Sequence, residues 1–138
     1  MPDTRSAITH KFAVRGHKYY VTVGLYEDNR PAELFITQAE GDPTIRGLLD
    51  CFAMSISISL QYGMPIEALV KQFVGRRFEP NGPTSNKKIE NAESIVDYIF
   101  CWLRQEFVSG SRKNGPDHNP RRRSILNAID EIGQPRRG

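Results

Sequence analysis

The side chains that are best suited to bind an anion lie in one short segment. Arg76 and Arg77 are adjacent, follow the predicted end of a helix near Gly75, and precede Glu79. Paired guanidinium groups bind phosphate or carboxylate through bidentate hydrogen bonds. A structural salt bridge is the simpler interpretation, and Asp50, at the edge of an apolar helix, is a candidate half-buried partner. Arg76, Arg77, Glu79 and Asp50 are therefore the candidate ligand-binding residues, with both interpretations open.

No residue pattern predicts catalysis or a metal held by this chain. His10, His17 and His118 are scattered, so no two share a helical face, and each is predicted to be solvated. The serines within 55–59 lie on a predicted helix without a neighbouring base. No phosphate-binding loop, dinucleotide-binding, nucleophile-elbow or zinc-protease motif occurs. We therefore expect no catalytic residue, no metal ligand and no cofactor of the chain's own.

The composition is that of a small globular domain with a basic end. The chain has 138 residues, 38% of them hydrophobic, and a formal charge of +3. Residues 1–108 contain 12 Lys/Arg and 13 Asp/Glu, whereas residues 109–138 contain 7 and 3. Because the positive excess belongs to the end of the chain, composition provides no argument that the domain itself binds nucleic acid.

The two cysteines and the hydropathy predict a cytoplasmic protein. Cys51 and Cys101 lie within apolar helical patterns and far apart, which favours reduced, buried thiols over a disulfide or zinc site. The first residues are polar and lack the apolar core of a signal peptide. No apolar run approaches the roughly 20 residues that span a bilayer, so we expect no membrane partner.

Hydrophobic periodicity predicts an α+β fold, an antiparallel β-meander of two to three strands packed against about three helices. The predicted strands are 8–15, 18–26 and 32–37, and the predicted helices are 44–63, 64–75 and 91–107. A flexible N-terminus at 1–9 precedes the domain at 10–107. A basic, largely disordered tail follows at 108–138, with a possible short helix at 124–132.

The predicted helix 44–63 has two distinct rows of side chains. Its apolar row is expected to face the core and consists of Ile45, Leu48, Leu49, Phe52, Ile56 and Leu60. Its second row has only small side chains, which are Gly47, Cys51, Ser55 and Ser59. Small side chains permit close approach of another backbone, either within the fold or at a homodimer interface.

Three blocks of sequence resemble a known family. They are the segment 24–36, the segment 47–65 and the segment 77–103, which contains Arg77-Phe78-Glu79-Pro80 and the run SIVDYIFCWL. Their order and spacing resemble the TSCPD domain at the C-terminal end of adenosylcobalamin-dependent (class II) ribonucleotide reductases. The resemblance covers about residues 10–107.

The resemblance implies a link to ribonucleotide reduction without a catalytic residue. The family motif continues Thr-Ser with Cys-Pro-Asp, whereas here Thr84-Ser85 is followed by Asn86-Lys87-Lys88. The reductases' catalytic barrel has no counterpart in this sequence. We therefore expect a stand-alone accessory or regulatory module that binds a reductase-like partner or a phosphate-bearing nucleotide. Cobalamin would enter only through such a partner.

Two other functional classes remain open. A nucleic-acid-associated protein would use the basic tail, where the run 121–123 consists of three arginines. A purely structural homo-oligomer would use the small row of the helix 44–63.

Overall fold

The computed structural model describes residues 6–109, and the sheet and helices within that range confirm the predicted α+β class. Most of the predicted basic tail, including the short helix at 124–132, lies outside the described residues. In chain order the elements are β1 Ala7–Val14, β2 His17–Leu25, β3 Pro31–Gln38, α1 Pro43–Gln61, α2 Ile66–Phe73, β4 Gly82–Pro83, β5 Asn91–Ala92 and α3 Ile95–Leu103, which continues into a π-helical turn at Arg104–Val108.

Strands β1, β2 and β3 form an antiparallel meander in that order. Arg15 and Gly16 both have positive φ, 47° and 81°, and form the two-residue turn that suits the twist of a hairpin. β1 begins at Ala7, three residues before the predicted domain boundary, because its first residues already pair with β2. Alternate side chains form the apolar face: Phe12, Val14, Tyr19, Val21, Val23, Leu25, Ala32, Leu34 and Ile36.

Serine side chains interrupt the hydrogen-bonding edges of this sheet. At β3, Ser57 Oγ accepts a hydrogen bond from the Leu34 N–H (2.8 Å) and lies 3.1 Å from the Leu34 carbonyl. At β1, the Ala13 N–H donates to Ser85 Oγ (2.9 Å), while the Ser85 N–H donates to the Ala13 carbonyl (3.1 Å). Side chains from α1 and from the segment after β4 therefore take hydrogen-bonding positions that another strand would use.

Helix α1 buries a narrower stripe of its own side chains than its sequence predicts. Asp42 caps it as expected, with Oδ1 accepting from the Thr44 N–H at 2.7 Å. The buried residues are Leu49, Ala53, Ile56 and Leu60. The predicted burial of Ile45 and Leu48 is wrong, and so is that of Cys51. The reason is that α1 packs mainly along β3 at the side of the sheet, with Phe52 also reaching Phe73 of α2 and Phe100 of α3, so the rest of its surface stays uncovered.

The third helix begins later than its periodicity predicts. Asn91–Ala92 pairs with Gly82–Pro83 as a short antiparallel ladder, and α3 starts after Ser94. Ser94 Oγ accepts a hydrogen bond from the Asp97 N–H at 3.0 Å, which caps the helix. Behind this cap, Phe100 of α3 lies close to Phe73 of α2, with ring centroids 4.9 Å apart.

Replacing Ser57 with alanine should lower the free energy of unfolding by about 1–3 kcal/mol, because the Leu34 N–H loses its acceptor. Chemical denaturation of the full chain measures this change. Ser55→Ala is the matched control, since the Ser55 hydroxyl bonds only to its own helix at Cys51, and we expect a change within about 0.5 kcal/mol. Equal effects of the two substitutions would contradict the proposed role of Ser57.

Candidate functional site

The segment that carries the two arginines is fixed to the start of α3. The Asp97 carboxylate is buried and accepts hydrogen bonds from the N–H groups of Gly75 (2.7 Å) and Glu93 (2.8 Å). Ser94 Oγ donates to the Arg76 carbonyl at 2.6 Å. Because these bonds hold the backbone, the side chains that follow Gly75 are presented to solvent from a fixed position.

Both arginines keep guanidinium groups accessible. Arg76 Nε donates to the Gln72 carbonyl at the end of α2, at 2.9 Å. Arg77 Nε lies 3.5 Å from a Glu93 carboxylate oxygen, and these side chains are 76% and 51% exposed. Such an exposed ion pair contributes about 0–1 kcal/mol, so an incoming anion can displace Glu93 at small cost.

An open groove lies beside these arginines. Its volume is about 470 Å³. Phe78 stands at its rim with 45% of its surface exposed, and the Phe78 N–H donates to the Glu93 carbonyl at 3.1 Å. The groove is lined by Phe52, Phe73, Gly75, Arg76, Arg77, Phe78 and Val96. It therefore combines an apolar floor with two cations and an exposed aromatic ring.

Of the four candidate residues, the structure brings Arg76 and Arg77 together at the groove. Glu79 follows directly and is exposed. Asp50 is also exposed on α1, and within residues 6–109 it forms no ion pair with either arginine. The acidic partner of Arg77 is Glu93, which the chain brings beside it through the turn into α3.

A second polar cluster links β1 to α3. The hydroxyl of the fully buried Tyr98 lies 2.8 Å from His10 Nε2 and 3.1 Å from Asn86 Nδ2. The His10 ring stacks on Trp102 with centroids 4.9 Å apart. Burial lowers the pKa of His10, against an opposing effect of Glu106. The amide of Asn86 therefore donates to the Tyr98 hydroxyl, which also shares a hydrogen bond with His10 Nε2.

Several of these roles have a signal in the sequence. Ser94 and Asp97 form an S-x-x-D pattern before an apolar run, which indicates a helix cap. His10 is two residues before Phe12 in β1, so it belongs to the core side, and the prediction that it is solvated is wrong. Phe78 has no local signal, because its exposure depends on how α2 and α3 meet.

Three further findings concern metal binding, membrane spans and thiol reactivity among the described residues. Across residues 6–109, no group of three His, Cys, Asp or Glu side chains is arranged to hold a metal ion. None of the helices in that range has the length and hydropathy needed to cross a bilayer. Burial, followed by the charge of Asp97, raises the pKa of Cys101 to about 11, so this group remains a thiol at neutral pH.

Comparison with known proteins identifies the family. Residues 1–107 match the TSCPD domain. This chain belongs to the TSCPD domain family. Similar proteins include three that carry the name vitamin B12-dependent ribonucleotide reductase. The protein from Rhodopirellula baltica is 52% identical over 111 residues, which are 80% of this chain and 11% of that protein.

The other two relatives show the same relationship. The protein from Bradyrhizobium diazoefficiens is 41% identical, covering 79% of this chain and 9% of its own length. The protein from Streptomyces avermitilis is 39% identical, covering 78% and 11%. This TSCPD domain thus spans about a tenth of the length of the curated relatives that it matches. No solved structure shows significant similarity to it.

The Thr84-Ser85 pair has a structural role in this TSCPD domain. Ser85 bonds to the edge of β1, and Thr84 Oγ1 accepts from the Asn86 N–H at 3.0 Å and donates to the Ile89 carbonyl. Asn86 Oδ1 accepts from the Lys88 N–H at 3.0 Å. Asn86 therefore shapes the loop and contacts Tyr98.

The stability of the domain should fall as the pH is lowered below about 6.5, the ordinary pKa of histidine. The folded His10 has the lower pKa, so the unfolded chain binds more protons in that range. We expect His10→Gln to flatten the fall in unfolding free energy between pH 7.5 and 5.5, as measured by urea denaturation. Replacing the exposed His17 with glutamine is the control, and identical slopes in the His10 variant and wild type would contradict the assignment.

Asp97→Asn should destabilise the domain by about 1–3 kcal/mol, because an amide nitrogen would face one of the two N–H donors. Hydrogen exchange should show faster exchange at Gly75 and Glu93 before the rest of the fold opens. Asp50→Asn is the matched control, with a change within about 0.5 kcal/mol. Unchanged protection at Gly75 in the Asp97 variant would show that the carboxylate does not hold this segment.

Proposed function

We propose that this TSCPD domain acts in ribonucleotide reduction as a binding module that takes a phosphate-bearing nucleotide, and that it contributes no catalytic residue. Family membership and the reductase relatives support the link to that system. The observation that carries the binding role is the groove in which Arg76, Arg77 and Phe78 surround an apolar floor.

The groove offers complementary contacts to each part of a nucleotide. The two guanidinium groups provide planar, permanently charged donors for phosphate oxygens. The exposed ring of Phe78 provides a stacking surface for a base, an interaction that contributes about 1–3 kcal/mol. A volume of about 470 Å³ falls within the usual range of small-molecule sites. The contacts to Asp97 and Ser94 reduce the entropy lost on binding because the backbone is already ordered.

The chemistry of the groove supports binding over catalysis. Arginine remains protonated at physiological pH, so Arg76 and Arg77 are poor general bases. Asp97 already accepts hydrogen bonds from two N–H groups, which occupy its carboxylate. The raised pKa of Cys101 leaves little thiolate to act as a nucleophile.

In this proposal the reduction itself takes place on a reductase-like partner. The domain corresponds to 11% of the Rhodopirellula baltica relative, so the remainder of such a protein would supply the reaction centre and hold the cobalamin. Glu79, which is exposed and follows Phe78 in the chain, would contact either the nucleotide or that partner. Co-purification with a cobalamin-dependent reductase is the direct test of this association.

Titration calorimetry with a nucleoside triphosphate tests the groove. Arg77→Ala should weaken binding about 10- to 100-fold, because a charged hydrogen bond is lost. Phe78→Ala should weaken binding of the nucleotide about 5- to 100-fold and leave binding of inorganic triphosphate unchanged. Higher salt should reduce the affinity for both probes.

Arg46→Ala, an exposed arginine on α1 outside the groove, is the matched control and should bind as the wild type does. Nucleotide binding that is equally weakened in the Arg46 and Arg77 variants would indicate non-specific attraction to positive charge. No heat of binding at physiological salt would refute the nucleotide site.

A further inference from the structure

The side of α1 that points away from the sheet is unusually apolar for a solvent-facing helix. We define this outer face as Gly47, Leu48, Cys51, Met54, Ser55, Ile58 and the C-cap residue Tyr62. Leu48 and Met54 are each 62% exposed, Ile58 is 50% exposed and Tyr62 is 73% exposed. A solvated helix face ordinarily carries charged residues, yet no acidic or basic side chain belongs to this one.

The polar groups on this face are satisfied within the helix. Ser55 Oγ donates to the Cys51 carbonyl at 3.0 Å, and Ser59 Oγ, beside the face, donates to the Ser55 carbonyl at 2.9 Å. Such back-bonding leaves a serine without an outward donor. The face can therefore be covered without leaving either hydroxyl proton unpaired.

Small side chains predominate near the start of the outer face, with Leu48 as the exception, and large ones near its end. Gly47 and Cys51 near the start are small, whereas Ile58 and Tyr62 near the end are large. If two copies pair antiparallel about a two-fold axis between Met54 and Ser55, Gly47 meets the partner copy's Tyr62 and Cys51 meets its Ile58. A parallel pair would instead put large side chains against large ones and small against small. The antiparallel arrangement is therefore the one that pairs small with large side chains at these positions.

We propose that the outer face of α1 is a docking surface for a second copy of this chain, forming an antiparallel, two-fold symmetric helix pair. Its exposed apolar side chains present roughly 500 Å² per chain, so a pair would bury about 1,000 Å², which is the lower limit for a specific interface. The uncharged face brings no like charges together, and the helix dipoles oppose each other. This proposal is independent of the nucleotide groove.

Cysteine cross-linking of the full chain distinguishes the possible arrangements. In the antiparallel pair, Ile58→Cys puts a new thiol opposite the partner copy's Cys51, so a mild oxidant should produce a covalent dimer. Wild-type chains should not cross-link, because seven residues of helical rise, about 10 Å, separate the two Cys51 thiols. In the Ile58→Cys variant, the same rise of seven residues separates Cys51 from the new thiol of its own chain and prevents a disulfide within one helix.

Asp50→Cys, which lies off the outer face, is the matched control and should not cross-link above the wild-type level. Wild-type cross-linking through Cys51 would indicate a parallel pair and overturn the proposed arrangement. Cross-linking of the position 50 and position 58 variants to the same extent would indicate random collision and overturn it as well.

Sedimentation of the unmodified chain provides the second readout. The wild type should show a concentration-dependent dimer, and Ser55→Arg should shift it to monomer by burying charge at the axis. Asp50→Arg places the same side chain about 140° around the helix from position 55 and should leave the dimer unchanged. A wild type that remains monomeric would refute the proposal. It would do so both if the outer face of α1 binds nothing and if that face binds a larger reductase-like partner. So would a folded Ser55→Arg variant, verified by circular dichroism, that still dimerises.

Discussion

The carboxylate of Asp97 connects the two backbone segments that form the arginine-bearing side of the groove. It is buried, and it accepts hydrogen bonds from Gly75, after α2, and from Glu93, before α3. Removing a carboxylate from water is costly unless its oxygens accept hydrogen bonds. Because the N–H groups of Gly75 and Glu93 supply these bonds, both backbone segments must stay beside the carboxylate. The position of Arg76 follows from this constraint, since its carbonyl is held by the neighbouring Ser94. The groove is therefore a consequence of how α3 begins.

The other constraint is that a three-stranded sheet has two edges and only one covered face. Here α1 supplies Ser57 to one edge, and the segment around Ser85 covers part of the other. Strand addition by other chains is therefore impeded at Leu34 and Ala13, where the backbone groups are already bonded. This arrangement places α1 at the side of the sheet, which is also why so much of its outer face remains uncovered.

The sequence predicts the parts of the fold that depend on local periodicity. The meander and α1, with its Asp42 cap, follow from alternation, helical spacing and capping chemistry. The inward side of α1 was only partly predictable, because Ile45 and Leu48 share its apolar spacing but receive no neighbour in the fold. For the site, sequence identified Arg76 and Arg77 as candidates. It did not reveal Phe78 or the pairing of Arg77 with Glu93, because both depend on contacts between elements that are distant in the chain.

The amide at position 86 has a consequence for the chemical durability of the fold. Asn86 donates a hydrogen bond to Tyr98, and Tyr98 in turn meets His10. A thiol at this position would be a weak donor and would be open to oxidation to a sulfenic acid. With an amide there, the junction of β1, α3 and the loop after β4 has no oxidisable group at position 86. Its geometry is therefore independent of cellular redox poise at that position.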